Sequence, residues 1–219
     1  MKLLQYVVRS MDQNVYIYFD ETSKEGVIVD PGNDAARIAQ VIKENEIDVK
    51  AILLTHGHGD HTGAVADLKA ELGCKVGAHR WEIPVLEDER ISFSAMYGSK
   101  KFDVDMIFED GDEFKFGGTS LKVIHTPGHT QGGVCYYDET NKILFSGDTL
   151  FYVSIGRTDF PNPPEKDGIG YPSTENFKRI IDSIKEKLYV LPEETAVYTG
   201  HGSATNIRFE KKFNGFVKA

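Results

Sequence analysis

The chain has 219 residues, 40% hydrophobic and 27% charged, with a net charge of -9. That length can bury a substantial core in one or two domains. The acidic balance argues against nucleic acid as a partner, because phosphate binding needs a basic face, and there is no 18-residue apolar run to cross a membrane.

The N-terminus, Met1-Lys2-Leu3-Leu4-Gln5-Tyr6, lacks a signal-peptide core and cleavage site, so the expected compartment is the cytoplasm. Residues 3–9, 14–20 and 26–30 read as strands rich in Val, Ile, Tyr and Phe, the last ending at the turn Asp30-Pro31-Gly32. Asn33 or Asp34 is expected to cap a helix running to about Asn45, with Ala36, Ile38 or Ala39, Val41 and Ile42 as its apolar stripe. A strand over 50–55 follows, then a helix over 64–72 stopped by Gly73, then a short strand over 75–78. Residues 81–103 mix Trp81, Phe93, Met96, Tyr97 and Phe102 with charges and read as a helix and loop lying over something, with a covering role for the core favoured over a role at a site. Strands are expected over 105–108, 113–116, 120–125, 133–137 and 142–145. The Gly/Pro-rich stretch 156–172 reads as a loop over a site. Beyond it lie a helix over 174–188, capped by Ser173 or Thr174 with the stripe Phe177, Ile180, Ile181, Ile184 and Leu188, and a strand over 195–198. Cys74 and Cys135 have no metal spacing and read as small buried hydrophobes.

The most informative stretch is Thr55–Gly63, which holds His56, His58, Asp60 and His61 on a turn between a strand and a helix. His56 and His58 are two apart, so in extended chain they project to one side and can share a metal. Asp60 and His61 come where the chain turns into the helix and can face a second point. Imidazole with carboxylate suits Zn, Fe or Mn. Three later places carry the same dress, a ligand-type residue just past a strand and beside glycine: His125-Thr-Pro-Gly-His129, Ser146-Gly-Asp148 and Thr199-Gly-His201-Gly. Strand ends on one edge of a sheet converge, so these can form one site.

That ordered set, Thr-His-Gly-His-Gly-Asp-His, Thr-Pro-Gly-His-Thr, Ser-Gly-Asp-Thr-Leu-Phe and Gly-His-Gly, resembles the metallo-β-lactamase-fold superfamily, and within it the glyoxalase II-like hydrolases, over essentially the whole chain. The resemblance implies an α+β fold, an αββα sandwich of two similar halves, forming a single domain over 1–219. It implies two divalent metals, zinc first and iron or manganese otherwise. His56, His58 and His129 would hold one, Asp60, His61 and His201 the other, and Asp148 would bridge them. The remaining histidines fall outside these positions: His79 reads as packed or surface-exposed, and His125 as orienting the turn that presents His129. Arg157 either meets a substrate carboxylate or pins its loop to an acid such as Asp159.

Two divalent cations against Asp60 and Asp148 leave a net charge of +2, enough for a bridging water to ionise near pH 7 instead of ~15.7. Asp60 is the expected catalytic residue, orienting that hydroxide or moving its proton. No further acid is in view to protonate a leaving group, which suits a thiol of pKa ~8.5. A small-molecule thioester such as S-lactoylglutathione is therefore the expected substrate, in keeping with the resemblance. The tail after His201 forms at most a short helix, whereas classical glyoxalase II has a separate C-terminal helical region that grips glutathione. The competing expectations are a mononuclear-iron, persulfide dioxygenase-like oxidoreductase and a lactonase or β-lactamase.

Overall fold

Alternation along the strands decides the layering. In the computed structural model, which describes residues 1–9, 11–166, 168 and 170–218, strand β2 (Gln13–Phe19) is buried at every position. Val15, Ile17 and Phe19 join one core and Tyr16 and Tyr18 another. A strand can do this only when both faces of its sheet are covered.

The first sheet has the order β1 (Lys2–Val8), β2, β3 (Glu25–Val29), β4 (Asp48–Leu53), β5 (Lys75–His79), β6 (Met106–Phe108). It begins antiparallel and becomes parallel from β3 onward. The second has the order β14 (Thr205–Asn206), β13 (Ala196–Thr199), β10 (Ile143–Gly147), β9 (Val134–Asp138), β8 (Thr119–His125), β7 (Glu113–Phe116). There only the β10–β13 pair is parallel. Between the sheets lie Tyr16, Tyr18, Val29 and Leu53 from one and Leu121, Val123, Tyr136 and Phe145 from the other. Outside the first sheet, α1 (Ala35–Glu44) and α3 (Val65–Leu72) contribute Ile38, Ile42, Val65 and Leu68 against Ile17, Ile28 and Ile52. Outside the second, α6 (Asn176–Ser183) and α7 (Ile207–Phe213) place Ile180 and Ile207 against Leu144 and Val197. The result is the αββα sandwich.

The strand expectations hold to within one or two residues. Gly73 ends α3 in the left-handed conformation, φ 64°. Cys74 and Cys135 are buried and free. Some finer expectations fail for local reasons. Asp34 stands before α1 at φ 59° and its side chain accepts no capping bond. Ala36 faces solvent, and Ile38, Ala39, Val41 and Ile42 form the buried stripe. Neither Ser173 nor Thr174 caps α6; the chain enters through a 3-10 turn over Ser173–Glu175. Phe177 is 55% exposed. The inward place in that turn is taken by Asn176, whose amide donates to the Phe160 carbonyl and accepts from Asn162. A small hairpin, β11 (Leu150–Phe151) with β12 (Ser154–Ile155), and the edge strand β14 were not anticipated. Among the described residues no helix is long and apolar enough to cross a membrane.

Residues 80–92 leave the first sheet as a 3-10 turn (Arg80–Glu82) and two short helices, α4 (Ile83–Glu87) and α5 (Glu89–Ser92). This excursion serves the core through Val85 and Ile91 and the site through Glu82 and, just beyond α5, Phe93.

Candidate metal centre

Strands β4, β8, β10 and β13 end on one edge, and the residues just past those ends converge. His56, His58 and His129 each bring one nitrogen within 4.8 Å of the others, as do the donor atoms of Asp60, His61 and His201. The Asp148 carboxylate lies between the groups. Its Oδ2 is 3.5 Å from His129 Nε2 and 3.6 Å from His201 Nε2, and its Oδ1 is 3.4 Å from His61 Nε2. All seven residues singled out in the sequence are brought together. Gly200 makes room for this: a Cβ there would sit 2.1 Å from Asp148 Oδ1 and 2.8 Å from His61 Cε1.

Hydrogen bonding tests whether the cluster suits cations. His61 Nδ1 donates to Asp30 Oδ2 at 3.0 Å, His129 Nδ1 to the Arg157 carbonyl at 2.9 Å, and His201 Nδ1 to the Met11 carbonyl at 3.0 Å. Those partners only accept, so the partners assign the proton to Nδ1 and leave Nε2 a lone pair in each neutral ring. Thr55 gives its hydroxyl proton to Asp30, so it accepts from His56 Nδ1 at 3.1 Å. His56 Nε2 is then a buried lone pair with no hydrogen-bond partner. His61 Nε2 and His201 Nε2 face each other at 3.2 Å, and His58 Nδ1 and His129 Nε2 at 3.0 Å. Neutral lone pairs at that separation repel unless a proton or a metal stands between them. Asp148 Oδ1 is also buried without a hydrogen-bond partner. Neutral imidazole with carboxylate, held rigid by outer partners, is a donor set for divalent metals.

The two groups differ electrostatically. Burial, with neighbouring imidazoles, pushes His56 well below its ordinary pKa and His58 down to about 3, and burial lowers His129. Burial opposes charge on His61 too, but Asp148 and Asp60 outweigh it and hold that imidazole well above the usual range. His201 moves the same way: burial is outweighed by the bond to Asp60 and by Asp148. Burial likewise works against ionisation of Asp148 and Asp60, and the surrounding imidazoles overcome it, so both carboxyls stay ionised.

Several participants escaped the sequence reading. Asp30 accepts from Thr55 N, Thr55 Oγ1 and His61 Nδ1. It lies close enough to His56 and His61 to form a third donor group with them. Its oxygens are already committed to those donors, which makes it an orienting partner. It bears the dress of the other four places, an acid just past a strand and next to Pro-Gly, and that signal was available. Glu82 is buried and accepts three hydrogen bonds; burial raises its carboxyl to about 7 against the pull of those donors. Nothing in its neighbours announces it. Phe93 and Phe160 pack around His58 with ring centroids 5.6 and 4.9 Å away.

The remaining residues find structural places. His125 Nε2 donates to the Gln131 carbonyl at 2.9 Å, bracing the turn that presents His129. The buried His79 ring stacks on His125, centroids 4.0 Å apart. Arg157 puts its fork on Asp159 and its guanidinium over Phe160, while its carbonyl fixes His129.

The metallo-beta-lactamase superfamily model matches residues 10–201. Hydroxyacylglutathione hydrolase GloC of Haemophilus influenzae is 33% identical over 216 residues, covering 97% of this chain and 96% of its own. The crystal structure of BLEG-1 B3 metallo-beta-lactamase superposes at TM-score 0.85 with 34% identity over all of both chains. TTHA1623, solved in a di-iron-bound form, superposes at TM-score 0.80 with 32% identity, covering 98% of this chain and all of that one. The chain belongs to the metallo-beta-lactamase superfamily, as a metallo-hydrolase whose histidine and aspartate clusters imply divalent metals.

Proposed function

We propose that the protein is a dinuclear metal-dependent thioesterase acting on small S-acyl thiols such as S-lactoylglutathione. The observation that carries this reading is the pair of three-donor groups with Asp148 between them. In this reading His56, His58 and His129 hold one metal, Asp60, His61 and His201 the second, and Asp148 contacts both. Zinc is the metal we propose. Iron, present in the di-iron form of TTHA1623, and manganese suit the same donors. The likeness to the H. influenzae hydroxyacylglutathione hydrolase supports the choice of substrate class.

Two bound divalent metals would supply an ionised water near neutral pH and polarise the carbonyl under attack. The chain's own groups do the rest. Asp60 is ionised and 3.3 Å from His201 Nε2, placed to orient the attacking water and take up its proton. Phe93 and Phe160 keep bulk water from the His58 side. A thiolate leaving group needs no proton donor, since thiols ionise near pH ~8.5.

We read residues 1–219 as one catalytic domain, because each half brings ligands to both centres, and as a cytoplasmic protein whose acidic surface does not favour nucleic acid. Arg157 is kept as a candidate for a substrate carboxylate once its bond to Asp159 opens. The test is a panel of acyl thiols, a lactone and a β-lactam offered to protein loaded with known amounts of metal, with oxygen uptake on glutathione persulfide run alongside. Thioester hydrolysis with no oxygen uptake is expected. Oxygen uptake at one iron per chain would favour the persulfide dioxygenase-like reading.

A further inference from the structure

The first centre is divided between the two halves of the molecule. His56 and His58 come from the loop after β4, and His129 from the loop after β8. Neither loop is a helix or strand, so something must set their separation. Glu82, 1% exposed, lies between them. Gly57 N–H, from the residue between the two histidines, donates to Glu82 Oε1 at 2.7 Å. On the other side Thr130 Oγ1 donates to Oε2 at 2.9 Å and Gly132 N–H donates to it at 3.0 Å. One carboxylate thus takes a donor from each ligand loop, using both oxygens. The fit is close: a Cβ on Gly132 would fall 2.2 Å from Glu82 N and 2.7 Å from Oε2.

We infer that Glu82 is a positioning residue that braces the two ligand loops of the first centre against each other and so selectively sets that centre's metal affinity. Both its oxygens are taken up by those three donors, and it belongs to neither donor group. The second centre has its own braces, with Asp30 on His61 and the Met11 carbonyl on His201. Loss of Glu82 therefore acts on one centre. An isosteric amide is the sharpest probe, because one of its ends would present N–H to donors that need an acceptor.

This inference rests on the two-centre reading above, and the experiment separates the two. Cobalt(II) is titrated into the full chain in two backgrounds, His201→Ala, which leaves the first centre, and His129→Ala, which leaves the second. Absorption reports binding and circular dichroism reports folding. Adding Glu82→Gln is expected to weaken cobalt binding about 10–100-fold in the His201→Ala background, the range found for outer-shell partners, and by less than about twofold in the His129→Ala background. Equal weakening in both, or none in the first, overturns the inference and leaves the two-centre reading standing. If neither background binds cobalt, the two-centre reading falls and the inference with it. Should Glu82→Gln fail to fold, Thr130→Val and Thr130→Ser in the His201→Ala background decide. The valine is expected to weaken binding severalfold and the serine, which keeps the hydroxyl, to restore it; equal affinities would overturn the inference.

Discussion

The two donor groups are alike in number and opposite in character. His56, His58 and His129 are buried imidazoles with lowered pKa values, neutral at pH 7 and carrying no charge of their own. Asp60, His61 and His201 combine a carboxylate with two imidazoles whose proton affinity is raised, and His201 keeps 25% of its side chain exposed. The first group can take a metal without losing protons. The second must give protons up, since a metal and the protons compete for the same Nε2 atoms. Asp148, in reach of both, couples them. One local motif, Thr55–Gly63, thus serves two different electrostatic environments, because His56 and His58 sit among neutral rings, with Phe93 and Phe160 packed on His58, whereas His61 faces the Asp60 and Asp148 carboxylates.

Asp148, within 3.4–3.6 Å of His61, His129 and His201, is where one substitution should disturb both groups most. Asp148→Asn should lower metal content at both centres and reduce kcat/KM by about 10³-fold, as expected when a major electrostatic group is removed from a reacting centre. Elemental analysis alongside kinetics checks this. Loss of metal from only one centre would show that Asp148 is not shared.

A pH series sharpens the contrast. Raised pKa values on His61 and His201 mean that protons occupy the second centre as pH falls, so its metal affinity should rise with pH by at least about tenfold per unit through the region below those raised values. The first centre, with lowered values, should be nearly flat above pH ~6, the ordinary histidine range. Isothermal titration at pH 6, 7 and 8 measures both, and parallel slopes would contradict the contrast.

Asp30→Asn comes next. It weakens the acceptor that fixes the His61 tautomer, and should cost about 10–100-fold in affinity at the second centre, with a smaller effect at the first through Thr55 and His56. Competition with a chelator reads the difference. The smallest effect belongs to Arg157→Ala. Arg157 and Asp159 side chains are 68% and 66% exposed, so losing the pair should change stability by less than ~1 kcal/mol in thermal melts. A rise in KM for anionic thioesters with kcat unchanged would identify Arg157 as a carboxylate contact. Unchanged KM would leave it as a tie for its loop.

Much of this was legible from the chain. Metal-ligand chemistry restricts residue type and favours glycine-spaced turns at strand ends, so the seven proposed ligands, His56, His58, Asp60, His61, His129, Asp148 and His201, could be read locally. Strands buried on both faces announce themselves as apolar runs. Asp30 carries the same strand-end and glycine signal, but its partners, and Glu82 altogether, could not be read that way. Asp30 meets Thr55 across 25 positions, and Glu82 meets Gly57 across 25 and Gly132 across 50. Only the folded chain creates those contacts, and an acid in a turn looks the same with or without them. Phe177 was misplaced for a related reason. A helical stripe marks its apolar side, while Asn176, through bonds to Asn162 and Phe160, decides which residue of the first turn faces in.

Under the proposed function, thioester hydrolysis requires both metals that these seven residues would hold. Thioesterase activity on S-lactoylglutathione, measured while metal is titrated into the metal-free chain, tests it most directly. Activity should stay low through the first equivalent and climb to a plateau at the second. A plateau at one equivalent, or no hydrolysis at any loading, would contradict the account.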